Sequence, residues 1–191
     1  LDFITYKSIM ITSGIEFQEV SPKKYGIENC IGAIKTEERV LNLENARCYF
    51  KESLKDNLRY QTEVKKVCFK KNKYFIVNEE FNFLIDCTWG AFSEIDANIF
   101  FEPTLLLYYE SANEGLGLTF VDGDLCSIYP TDRPNIFTLS SVRNTPLGRY
   151  ESFVEAHERM KCVCKDELLR KKTLFEEEIS FFYPNFTKEY K

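Results

Sequence analysis

The chain has 191 residues, with 30 acidic side chains against 25 basic ones, one histidine and seven cysteines. That length allows one large domain or two small ones. A net charge of −5, with both signs mixed along the chain, argues against nucleic acid as a partner, because that role needs a basic face. No apolar run approaches the ~20 residues that span a bilayer and no signal peptide is visible, so no membrane partner is expected. Seven cysteines are an odd number and form no CxxC pair. They read as reduced, mostly buried small hydrophobes of a cytoplasmic protein. Cys162 and Cys164 lack a second pair, and His157 sits alone among charges, so no metal site is expected. The chain opens on Leu1 rather than Met, which suggests a piece of a longer protein.

Along the chain, residues 8–20 give a short apolar piece, a glycine and then alternation, and Ser21-Pro22 and Gly26 end it. Ile31 to Thr36 reads as extended. Asn42 is placed to cap a helix from Leu43 to about Leu58, with Leu43, Ala46, Tyr49, Phe50 and Leu54 as its apolar stripe. Three strand-like runs follow at Tyr60–Phe69, Tyr74–Val77 and Phe81–Thr88, joined by short polar turns, and the slip near Lys66 suggests a bulge. The last of these, FNFLIDCTWG, is a run of large apolar residues from Phe81 to Ile85 that leads into Asp86 and then narrows to small residues around Trp89. It reads as the most buried strand, with an exit where backbone can approach a flat ligand.

The second half has strands at Leu105–Glu110, Leu118–Val121, Leu125–Tyr129 and Ile136–Val142. Asp122-Gly123-Asp124 marks a turn between the second and third. With no helices between them, an antiparallel sheet follows. From Tyr150 to about Ile179 the pattern is helical and highly charged, with an apolar stripe through Phe153, Met160, Val163, Leu168 and Phe175. The fold class is therefore α+β: a β-meander with a covering helix, an antiparallel sheet and a C-terminal helix.

Motifs that would fix a chemistry are missing. Gly115 and Gly117 do not complete a GxGxxG, there is no GxxxxGK[ST] or HExxH, and no catalytic residue can be assigned. The order of segments is more telling. GIEFQEVSP, IKTEERVLNLENARCYF, YQTEVKKVCF and FNFLIDCTWG together resemble the interior of FAD-dependent oxidoreductases of the D-amino-acid oxidase and glycine oxidase family. LTFVDGDLCSIYPT and IFTLSSVRNTPLGRY resemble the antiparallel substrate-domain sheet of related enzymes. The resemblance covers roughly residues 14–150.

It implies a partial FAD-binding-domain-like region over residues 1–100 and a substrate-domain-like region with the C-terminal helix over 101–191. It implies FAD as cofactor of the complete protein and a small amine, amino acid or hydroxy acid as substrate, oxidised by hydride transfer to the flavin. Val64 would face the adenine end, and Thr88, Trp89 and Gly90 would line the cofactor. Tyr129, Thr138 and Arg143 would lie on the substrate side, the last as a carboxylate clamp. Because the glycine-rich fingerprint is missing, the chain alone should bind FAD weakly or not at all and should be inactive. The alternative is a non-catalytic α+β domain that binds a small molecule or a protein.

Overall fold

The computed structural model describes residues 2–77, 79–88, 99–112, 116–123 and 125–191. The first half runs α1 (Phe3–Thr12), β1 (Phe17–Val20), β2 (Ala33–Thr36), α2 (Leu43–Ser53), β3 (Val67–Lys70), β4 (Lys73–Ile76) and β5 (Glu79–Phe81). The second runs β6 (Leu107–Glu110), β7 (Leu118–Thr119), β8 (Cys126–Pro130), β9 (Ile136–Ser141), α3 (Phe153–Lys161), α4 (Lys165–Phe182) and α5 (Phe186–Glu189). All strand pairs are antiparallel: β1 with β2, the meander β3-β4-β5, and a sheet in the order β6-β9-β8-β7. The α+β class read from the sequence is the one observed.

Local chemistry explains several boundaries. The Asn42 side chain accepts from the Asn45 amide at 2.8 Å, starting α2 where the capping pattern places it. Lys71 and Asn72 both have positive φ, 49° and 61°, so β3 and β4 are joined by a two-residue turn whose twist matches the strands. The charged region expected as one helix is two. Cys162 ends α3, donating its amide to the Glu158 and Arg159 carbonyls, and α4 restarts at Lys165 with Asp166 and Glu167 in its favourable first turn. An ion pair between Arg159 and Glu167 bridges the break.

The core is built in the second half. One face of the four-stranded sheet presents Tyr109, Cys126, Ile128, Phe137 and Leu139, and Phe175, Ile179, Tyr183, Phe186 and Tyr190 come down on it from α4, α5 and the C-terminal residues. Aromatic rings interlock across this layer, with Tyr109 and Phe186 centroids 5.0 Å apart and Phe137 and Tyr190 5.2 Å apart, both edge-on. The main chain of Lys191 exchanges two 2.8 Å hydrogen bonds with Glu110, closing the free edge of β6.

The first half is different. Among the described residues up to Thr88, only Ile27 is buried. Neither α1 nor α2 has a buried residue, so the apolar stripe of α2 covers nothing, and the helix gives way at Leu54 to a 3-10 turn over Lys55–Asn57. The segment expected to be the most buried strand is corrected by the structure. Only Glu79–Phe81 is strand, and Phe83 and Ile85 are 87% and 84% exposed. A strand that buries large apolar side chains needs an element to cover them, and the described residues offer β5 only the partner β4. The strand expected over Tyr60–Phe69 likewise shrinks to Val67–Lys70.

The cysteine expectation is corrected for the same reason. Cys126 is buried, while Cys48, Cys87, Cys162 and Cys164 are exposed on faces that nothing covers. The accessible surface reaches 14753 Å², against about 9,500 Å² for a compact chain of this mass.

Two measurements check this division. Phe186, fully buried, is the ring around which α5 closes, and Phe186→Ala should cost about 3–5 kcal/mol in urea unfolding. Burial, reinforced by the neighbouring Glu178 carboxylate, pushes the Cys126 thiol up to about 12. The unfolded thiol, near its ordinary value of 9.0, releases its proton first. The contribution of Cys126 is therefore intact below pH 9 and lost toward pH 12, at up to about 1.4 kcal/mol per pH unit. Cys126→Ala should flatten that slope in alkaline unfolding curves.

Candidate functional site

The sheet β6-β9-β8-β7 has one face on the core and one facing out. Alternation and register place Ser127 opposite both Ser140 and Thr119, and Thr138 opposite both Tyr129 and Tyr108. The middle of the outward face is therefore an array of hydroxyls, with Glu110 and Ile136 at its β6–β9 end. Thr119 and Tyr129 share a hydrogen bond through their hydroxyls, and the Thr138 hydroxyl donates to the Tyr129 carbonyl at 3.4 Å. Gly117 leaves room for the Tyr129 ring, since a Cβ there would meet it at 3.4 Å. Such a surface offers many donors and acceptors, which suits a polar part of a ligand.

The structure thus brings Tyr129 and Thr138, named from the sequence, into one cross-strand pair. Arg143 stands apart, exposed in the turn that follows β9. That turn is held from below. The Thr145 amide donates to the Ser141 carbonyl at 2.8 Å, and the Asn144 amide donates to the Ser141 hydroxyl at 3.0 Å. Glu178 on α4 accepts from the Ser141 hydroxyl and the Asn144 side-chain amide, both at 2.7 Å. One heptad earlier, Lys171 donates to the carbonyls of Asn144 at 2.6 Å and Pro146 at 2.9 Å. Partial burial lowers the Lys171 ammonium from its ordinary value. Helix α4 therefore clamps the turn that presents Arg143.

The residues named on the cofactor side are not gathered in this way. Val64 is half-buried in the irregular stretch before β3. Thr88 is exposed, and its amide and hydroxyl donate to the Asp86 carboxylate at 2.8 and 2.6 Å, closing a local turn. Trp89 and Gly90 lie outside the described residues. The hydroxyls of Tyr108, Thr119, Ser127 and Ser140 were not singled out in the sequence. The strict alternation of CSIYP and IFTLSS carries the signal for the two serines. Glu178 is 37 residues from Ser141, and nothing local marks it.

The pyrophosphate of a dinucleotide needs open amides at a helix N-terminus or a glycine-rich turn. Here the first turns of α1 to α4 are capped or acidic. Asp2 holds the amides of Ile4 and Thr5 at the start of α1, so a carboxylate occupies the place of an anion. Asn42 and Ser152 cap α2 and α3. Asp166 and Glu167 crowd the first turn of α4 with negative charge. The described residues do not fit the phosphate end of FAD. Among them there is also no cluster of three or more metal-ligating side chains, and no helix long and apolar enough to cross a membrane.

Comparison with known proteins gives one informative result. The chain is similar to an FAD-dependent monooxygenase. That protein, FPY4 of Fusarium mangiferae, is 40% identical over all 191 residues, and the match takes up 52% of its length. The chain spans about half the length of the curated relative it matches. No family model and no solved structure matches.

The clamp under Arg143 can be probed directly. Ser141→Ala removes one donor to Glu178 and strands the Asn144 amide, and should cost about 1–3 kcal/mol in urea unfolding while speeding amide exchange over residues 142–146. Arg143→Ala, at an exposed position, should stay within about 0.5 kcal/mol of the parent.

Proposed function

We propose that the chain is part of an FAD-dependent oxidoreductase. One observation carries the reading: every residue of the chain lies within the 40% identical match to a protein named as an FAD-dependent monooxygenase. The order of segments over residues 14–150 supports it independently. The narrower form of the proposal places the chain with the D-amino-acid oxidase and glycine oxidase type, acting on a small amine, amino acid or hydroxy acid. The flavin would supply the redox chemistry by accepting a hydride. A face rich in hydroxyls suits that division of labour, since it can orient a substrate through hydrogen bonds.

In this reading residues 1–100 contribute to the FAD-binding region and 101–191 to the substrate region. Val64, Thr88, Trp89 and Gly90 would stand on the cofactor side. Tyr129 and Thr138 would contact substrate, and Arg143 would pair with a substrate carboxylate. Seven free thiols suit a reducing, cytoplasmic setting. Because the described residues do not fit the phosphate end of FAD, the cofactor site would be completed by polypeptide beyond them, and no reaction step is assigned to this chain by itself. The name of the relative favours a second reading, in which oxygen is transferred to the substrate.

A chimera tests the proposal. Replacing the matched half of FPY4 with these 191 residues should give a yellow protein that retains flavin through gel filtration, and Gly90→Val in that chimera should lose it. A folded chimera that is colourless, and that takes up no added FAD, would overturn the assignment.

A further inference from the structure

Cys162 and Cys164 belong to neither the core nor the hydroxyl face. Both are exposed free thiols. They are also the only two cysteines of the chain separated by a single residue. Cys48 and Cys87 are exposed too, but each stands far along the chain from any other cysteine. The pair coincides with the break in the charged C-terminal region. Helix α3 ends at Lys161 and α4 begins at Lys165, so residues 162–164 are the non-helical link between them.

The break decides whether the two sulfurs can meet. In a continuous helix, residues two apart are turned by about 200°, and their side chains leave on opposite sides. In an extended chain they leave on the same side, and a rise of about 3.3 Å per residue sets their Cα atoms about 6.6 Å apart. Disulfides join Cα atoms about 4.4–6.8 Å apart. Cys162 has left the helix, with φ of −91° and ψ of 6°, and Cys164 is extended, with φ of −87° and ψ of 163°. The Cys164 side chain makes no capping bond to α4, so the helix does not hold its sulfur. A bridge here closes without unwinding a turn of either helix. The ion pair between Arg159 and Glu167 already holds the two helix ends together across the same link.

We propose that Cys162 and Cys164 form a reversible dithiol–disulfide site, oxidised by hydrogen peroxide and reduced by glutathione. One thiol gives up its proton, and the thiolate attacks the peroxide. An S–O bond forms, the O–O bond breaks, and the hydroxide that leaves takes up a proton to become water. The second thiol then attacks the sulfenic sulfur, the S–S bond forms, and the oxygen departs as a second water with the last proton. The two thiols together lose two electrons, and the peroxide gains them. Two glutathione thiols reverse the change through a mixed disulfide and end as glutathione disulfide. An exposed bridge of this kind is labile, which suits a compartment that keeps thiols reduced. The closed form pins the link between α3 and α4, because bridged residues cannot become helical. The inference is independent of the flavin reading.

Peptide mapping tests it. The 191-residue chain is treated with hydrogen peroxide, blocked with iodoacetamide and cut with trypsin, which releases residues 162–165 as one peptide. That peptide should lose the mass of two hydrogens and take up no alkyl group, and prior treatment with glutathione should restore both alkylation sites. Cys164→Ser leaves the Cys162 sulfenic acid without a partner, so labelling of Cys162 by dimedone should rise about tenfold or more over the parent. Unchanged amide protection of β8 and β9 in that variant shows that the core is intact. A peptide that keeps both alkyl groups after peroxide overturns the site. So does one oxidised to sulfinic or sulfonic acid without a bridge, or one whose sulfurs are bridged to other cysteines.

Discussion

The packing of α4 on the sheet β6-β9-β8-β7 is the contact on which the rest of the described fold depends. Phe175 and Ile179 are fully buried, and Tyr183 continues the same face beyond the end of the helix. Fixing one 18-residue helix is costly in conformational entropy, so its apolar side must be matched continuously. The sheet supplies that match through the inward positions of all four strands. The flank of that same face does a separate task. Lys171 and Glu178, one heptad apart, bind the turn after β9 through its carbonyls and side chains. A single helix therefore sets both the core and the position of Arg143.

The first half also reaches this helix, at one place. The Glu28 amide donates to the Phe182 carbonyl at 2.8 Å, and the Asn29 side-chain amide donates to the Phe181 carbonyl at 2.7 Å. These bonds fill carbonyls that the end of α4 leaves without helical partners. Gly26, with φ of 68°, ends the turn beside them, and a Cβ there would press on the Tyr183 ring at 3.3 Å. The anchorage is polar and small. It fixes the loop over residues 22–31 but gives α1, α2 and the meander little apolar surface to bury.

The sequence was legible wherever its partners were also in the chain. The alternation of residues 126–130 and 136–141 predicts two half-buried strands because their core side is met by α4. The cap at Asn42 and the turn at Lys71-Asn72 were readable because both are satisfied within three or four residues. Phe81–Thr88 was misread for the opposite reason: its large apolar residues read as a buried strand, and no described element covers Phe83 or Ile85. The exposed cysteines follow the same logic. At the candidate site, Tyr129 and Thr138 were visible as outward members of strands, whereas Glu178 was not, because its role is set by a tertiary contact rather than a local pattern.

This asymmetry bears on how the hydroxyl face would work. The core face of the sheet is complete, with its edge at β6 closed by Lys191 and its helices in place, so the outward face is held in register independently of the first half. Tyr129, Thr138 and the turn bearing Arg143 are therefore preorganised, and preorganisation is what lets a polar surface orient a ligand without losing affinity to its own ordering. Val64 and Thr88 have no such support: both lie in irregular segments outside the core. The two halves of the chain therefore differ in what sets their geometry. A helix packed on a sheet fixes the surroundings of Tyr129 and Thr138, whereas Thr88 sits in a local turn closed on Asp86.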